Sequence, residues 1–119
     1  MPAFRDRVKD TSTTTGTGAF TLSGTAPSGF QTFANAYATG TPFLYCIVGG
    51  AEWETGTGYL TGATTMVRDT PAMDGSSGPG VLVSFSAGTK DVFVTVTAHW
   101  FEDADNGAIL HKMRGMDMP

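Results

Sequence analysis

The sequence predicts an all-β chain: a small antiparallel β-sandwich or barrel with one short helix and a C-terminal extension. Three observations carry that prediction. Glycine, threonine and proline interrupt nearly every window of helical length, which denies a helix the uninterrupted run it needs. The apolar runs between the interruptions are short and rich in β-branched and aromatic residues, as in Phe43-Leu44-Tyr45-Cys46-Ile47-Val48, and such runs favour pleated strands. Finally, 119 residues provide for one domain around one core.

Taken in order, residues 19–22 read as a first strand. Residues 31–38 are the one helical candidate of the body, two turns at most, with Phe33, Ala34 and Tyr37 bracketed by Gly29 and Gly40. Residues 42–48 form a continuously apolar strand, which predicts cover on both faces. A Gly49-Gly50 turn then leads into the alternation Ala51-Glu52-Trp53-Glu54-Thr55. Its simplest reading buries Trp53 and solvates Glu52 and Glu54 on the opposite face.

Near the end of the body, residues 81–85 and 92–97 flank a glycine-containing connection and predict a hairpin. Alternation selects Val92, Val94 and Val96 for the core, facing Val81, Val83 and Phe85. After this the texture changes. Residues 102–107 are acidic and turn-like, and Ile109, Leu110 and Met113 follow at near-helical spacing. The division is therefore a β-domain over residues 1–99 and an extension over residues 100–119.

Charge and composition narrow the function. Charged residues make up 15% and hydrophobic residues 40% of the chain, and 11 acidic against 7 basic side chains leave a net charge of −4. The only basic grouping is the loose set Arg5, Arg7 and Lys9, whereas nucleic-acid binding calls for a basic stripe. No run of ~18 apolar residues predicts a membrane span, and the N-terminal residues lack the apolar core of a secretion signal. Synthesis in a cytoplasm is expected. Cys46, the single cysteine, lies in an apolar run and reads as a buried, inert thiol.

Each candidate for chemistry has a simpler structural reading. Thr15-Gly16-Thr17-Gly18 and Thr55-Gly56-Thr57-Gly58 echo one another, but neither matches a phosphate-binding glycine loop and each precedes a strand. Glu52 and Glu54 share a strand face with β-carbons ~6.5–7 Å apart, a separation within the range used by glycosidase carboxylates; a solvated face opposite a buried Trp53 explains all three residues, and catalytic carboxylates usually come from different elements at a cleft. His99 and His111 have no further ligand at metal-binding spacing. Ser76 and Ser77 lie in a loop without the strand–turn–helix setting of a nucleophile elbow. No catalytic, cofactor-binding or metal site is assigned, and the chain is expected not to be an enzyme. The extension is more telling. Trp100, Phe101, Ile109, Leu110, Met113, Met116 and Met118 place a large apolar area beyond the body, which either folds back onto its own domain or docks on a neighbouring subunit or partner, since aromatics and methionine are enriched where proteins meet.

A series of segments carries a resemblance. Arg7-Val8-Lys9-Asp10-Thr11 leads into Thr14-Thr15-Gly16-Thr17-Gly18, followed by Gly29-Phe30 with Phe33 and Ala34, and by Tyr45-Cys46-Ile47. Trp53-Glu54-Thr55-Gly56-Thr57-Gly58, Val67-Arg68-Asp69-Thr70 and Gly75-Ser76-Ser77 come next, then Val83-Ser84-Phe85-Ser86-Ala87-Gly88-Thr89-Lys90 with Val92-Phe93. In this order, through most of residues 7–97, the chain resembles a family of small tail-phage virion proteins associated with tail fibres. The family pattern stops soon after the last strand, so residues 98–119 depart from it.

The resemblance implies a non-enzymatic structural protein of the bacteriophage virion, attached to tail, fibre base, collar or capsid in symmetric copies. Its implied partners are other virion proteins and copies of itself, with no nucleic acid, membrane or cofactor. The partner interface expected from the residues is Trp100, Phe101, Ile109, Leu110, Met113 and Met116. A second reading makes the chain a glycan- or host-surface-binding module of the virion, with Trp53, Tyr59 or Trp100 as a stacking platform for sugar rings.

Overall fold

The computed structural model describes residues 3–98 and residue 100. These residues form a nearly closed antiparallel barrel. Its elements are β1 (Lys9–Ser12), β2 (Phe20–Thr21), α1 (Phe33–Ala36), β3 (Phe43–Gly49), β4 (Glu52–Gly62), β5 (Thr65–Arg68), β6 (Asp74–Gly75) and β7 (Lys90–Val94). The sheet runs β1-β7-β3-β4-β5-β2, with β6 paired to β4. The ends of this path nearly meet. Ser12 bridges Leu22, just past β2, and the Ser23 amide donates to the Thr11 carbonyl at 2.9 Å. Closure gives the edge strands partners and removes a template for edge-to-edge aggregation.

Asp10 ties this seam. Its carboxylate accepts hydrogen bonds from the Thr11 and Gly24 amides at 2.6 and 2.9 Å and from the Ser23 hydroxyl. A buried carboxylate is tolerated where such donors replace its hydration.

The interior follows from strand alternation. Phe43, Tyr45 and Ile47 of β3, Leu60 of β4, Met66 of β5, Phe20 of β2 and Val92 of β7 fill it, as side chains do in narrow barrels. Leu44, on the opposite parity, is also fully buried, in keeping with the two-sided cover expected for this strand. Helix α1 closes the Phe43 end. It is a single turn capped by Thr32, whose hydroxyl accepts the Asn35 amide at 3.1 Å, and it sets Phe33 and Tyr37 against Phe43 with ring centroids 5.2 and 4.8 Å apart.

Two sequence expectations are overturned. The hairpin between residues 81–85 and 92–97 does not form. Both edges of β7 are taken, by β1 and β3, and the Phe85 amide and carbonyl pair instead with Gly16 at 3.2 and 2.9 Å. Val83 and Phe85 are buried as expected, but Val81 is exposed. The valine face also ends early: Val92 is fully buried, Val94 partly, and Val96 is 44% exposed because β7 stops at Val94.

The second correction concerns β4. Trp53 is 38% exposed and Glu54 is 0% exposed, the inverse of the expected faces. The alternation was legible, but its sign was not. A glutamate faces the interior because a guanidinium meets it there.

Candidate functional site: a buried charge network and an exposed apolar trough

Inside the barrel, Glu54 and Arg68 form an ion pair at 3.0 Å with both side chains almost fully buried. Glu54 Oε1 also accepts the Val83 amide at 2.6 Å, and Oε2 accepts the Tyr45 hydroxyl at 2.5 Å. The other donors of Arg68 go to backbone carbonyls. Nε donates to Gly18 at 3.2 Å, Nη1 to Val83 at 3.2 Å, and Nη2 to Gly16 and Gly18 at 2.9 and 3.0 Å. A guanidinium offers five N–H donors in a planar fork, and these contacts with Glu54 match that number. The rings of Phe20 and Phe85 lie beside it at 4.7 and 5.6 Å, adding cation–π attraction in a desolvated setting.

This network replaces the missing hairpin. Gly16, Gly18 and Val83 lie outside the named strands, and their carbonyls accept from Arg68, the Gly16 carbonyl in addition to the Phe85 amide. The first Thr-Gly-Thr-Gly segment thus presents oxygens to a cation rather than N–H groups to a phosphate.

The second Thr-Gly-Thr-Gly segment has a steric role. Tyr45 pairs with Gly56 and Phe43 with Gly58 across β3 and β4. A Cβ on Gly56 would stand 2.6 Å from the Tyr45 hydroxyl oxygen, and one on Gly58 would stand 2.7 Å from the Val67 carbonyl oxygen and 3.1 Å from the Tyr45 ring. The glycines leave room for a tyrosine whose hydroxyl must reach Glu54. Burial, reinforced by that hydrogen bond, drives the Tyr45 phenol far above its ordinary range.

The other carboxylate of the sequence pair, Glu52, is held by the Ser86 amide and hydroxyl at 2.8 and 2.9 Å, which lower its pKa. Glu52 and Glu54 therefore share a strand face, as expected, but each is occupied by protein donors. Beside Glu52, Lys90 is 1% exposed, and its Nζ has no hydrogen-bond partner among the described residues. Its stem lies over Gly49, where a Cβ would come within 2.6 Å of Lys90 Cγ. Cys46 is half-buried, and burial pushes its thiol up.

The outer surface carries a different feature. A depression of about 530 Å3 is lined by Trp53, Met73, Asp74, Pro79 and Val96, with Thr95–Ala98 along one side. A second depression, of about 560 Å3, shares Met73 and Pro79 and reaches Asp69. Together they make a largely apolar trough whose lining includes the acidic Asp74 and Asp69.

Of the expected interface residues, Trp100 is placed and Phe101, Ile109, Leu110, Met113 and Met116 lie outside the described residues, as do His99 and His111. The Trp100 amide donates to the Thr97 hydroxyl at 3.1 Å, and its indole meets the Phe4 ring edge-on at 5.3 Å. Trp100 thus packs against the N-terminal part of its own chain. Trp53 and Tyr59, six residues apart on one strand, are separated by ~20 Å, and Trp100 is engaged with Phe4, so the three rings do not make one stacking platform.

Sequence reading missed Arg68 and Tyr45, although a signal existed. Glu54, Gly56, Gly58 and Leu60 share one strand parity, and two glycines on a core-facing parity imply a large neighbour. Comparison of the chain with protein-family models, curated proteins and solved structures finds no match.

Proposed function

We propose that the chain is a non-enzymatic structural component of a bacteriophage virion, a rigid barrel attached through its surface and its C-terminal extension to copies of itself or to other virion proteins. One observation carries the reading towards attachment: the apolar trough of Trp53, Met73, Pro79 and Val96 is lined along part of its rim by Thr95, Thr97 and Ala98, the last residues of the described body before Trp100. Contiguous exposed apolar surface of this kind marks interaction sites. The ordered segments that resemble tail-phage virion proteins supply the context. The interior agrees with a scaffold, because Glu54, Tyr45 and Arg68 are committed to holding loops on the barrel.

The test is electron microscopy and mass spectrometry of purified particles. The chain is expected at a symmetric position in several copies, and a chain truncated after His99 is expected to fold and fail to incorporate. Particles that lack the chain would sink the proposal.

The exposed indole of Trp53 keeps the glycan-binding reading as a second possibility, since aromatic faces stack on sugar rings. A glycan array decides it: retention that Trp53→Ala abolishes would favour that reading over the structural one.

A further inference from the structure

We infer that the trough beside Trp53 receives the C-terminal segment, residues 108–118, of a second copy of this chain. The inference rests on the structural reading above and names the partner of that surface. Three features of the chain point to this occupant.

The first is complementarity. The trough is lined by the apolar Trp53, Met73, Pro79 and Val96, with Asp74 beside Met73 in the first depression and Asp69 in the second. Residues 108–118 interleave Ile109, Leu110, Met113 and Met116 with Lys112 and Arg114. Methionine supplies adaptable apolar contact, and the two cations are opposite in sign to the two carboxylates of the trough.

The second is the supply of chain. Nineteen residues follow Trp100, and residues 101–107 alone span up to ~25 Å when extended. That reach is enough for the segment to leave its own barrel and meet a neighbour's.

The third selects a neighbour's trough over the chain's own. Ala98 itself lines the trough, so the segment could return there only by doubling back within residues 101–107. That stretch carries Glu102, Asp103 and Asp105. Doubling back would bring three carboxylates alongside Asp74, a like-charge arrangement that costs free energy. Extending away lets the basic, apolar end reach an acidic trough without its linker. Each chain then gives one segment and receives one, a head-to-tail contact that closes into a ring or a reciprocal dimer.

Complementation between two full-length variants tests this. Val96→Asp places a charge on the trough floor at an exposed position, and Ile109→Asp combined with Leu110→Asp disables the segment. Sedimentation velocity should show the unsubstituted chain as an oligomer and each variant alone as a monomer. A mixture should contain a one-to-one dimer, because one chain retains a segment and the other a trough. Asp74→Lys should weaken association by about ten-fold, as expected for loss of a charge contact worth ~1.4 kcal/mol.

In a Trp100→Phe background, Trp53 is the sole indole, and its emission should shift to the blue with concentration. A monomeric Trp100→Phe chain whose Trp53 emission is already blue and independent of concentration would overturn the inference in favour of the chain's own segment. An oligomer that survives both variants would overturn it as well. Neither result depends on the presence of the chain in a virion, so failure here is separable from failure of the structural reading.

Discussion

The Tyr45 hydroxyl donates a 2.5 Å hydrogen bond to Glu54 Oε2 inside the barrel, across a strand pair in which Tyr45 stands opposite Gly56. The contact joins three decisions of the fold: a glutamate turned inwards, an arginine brought to meet it, and a glycine that makes room for the ring. Removing one partner from such a network costs more than the bond is worth, because the other partner is left desolvated.

Tyr45→Phe should therefore destabilise the barrel by ~1–3 kcal/mol through the orphaned Glu54 oxygen. Glu54→Leu should cost ~3–5 kcal/mol by leaving the Arg68 charge buried and unpaired. Combining it with Arg68→Met should not restore stability, since the Gly18 and Val83 carbonyls then lose the Arg68 donor and the Gly16 carbonyl keeps only the Phe85 amide. Urea unfolding midpoints check the series, and full recovery in the double variant would contradict the network's role in holding the loops.

Stability should also decline in alkali. Burial, and then the Glu54 hydrogen bond, raise the Tyr45 pKa above its ordinary value of 10.0, so the folded chain keeps a proton that the unfolded chain releases. The contribution is complete below pH ~10 and is lost as pH rises from there towards the folded value, at up to ~1.4 kcal/mol per pH unit. Tyr45→Phe should flatten this limb. Tyr37, whose phenol is also raised by burial, should leave a residual slope.

Gly56→Ala should destabilise by ~1–3 kcal/mol or more, the range for forcing a group into a packed interior. The added carbon would meet the Tyr45 ring and hydroxyl at 2.6–2.9 Å. Gly18→Ala, where nothing lies within 4 Å of the new carbon, is the control and should stay within ~0.5 kcal/mol. Equal thermal midpoints for the two variants would refute the steric account of the glycines.

Lys90→Met should leave the fold intact and raise its stability by ~1 kcal/mol or more. It keeps an unbranched stem over Gly49 while removing a buried ammonium group that faces Glu52 but has no hydrogen-bond partner among the described residues. Chemical denaturation of the two proteins checks the sign, and a loss of stability would mean that the charge is compensated in solution.

The valines offer a final comparison. Val92→Ala should cost ~1.5–3 kcal/mol because its side chain is fully buried, whereas Val96→Ala should change folding stability by less than ~0.5 kcal/mol. Unfolding measured at concentrations low enough to keep the chain monomeric separates the two.

What the sequence determined by itself was local. Glycine and threonine punctuation, with short β-branched runs, specified an all-β chain, and the apolar run of β3 specified a strand, one face of which is fully buried through Ile47 and the other at Leu44 but only partly at Cys46 and Val48. The one-turn helix between Gly29 and Gly40 was legible from its aromatic spacing. Period-two alternation in β4 was legible too, but alternation leaves open which face turns inwards. Trp53 looked like the core residue because an indole has more area to bury than a glutamate. The tertiary structure decided otherwise, since Arg68, fourteen residues away along the chain, reaches Glu54 and compensates its charge. In the same way, residues 81–85 had a strand's pattern, yet β7 had already spent both edges on β1 and β3. Strand pairing and charge pairing depend on which distant segments meet, whereas propensity and period depend only on neighbours. Hence the class of the fold could be read from the residues in order, and its interior network and surface trough only from their assembly.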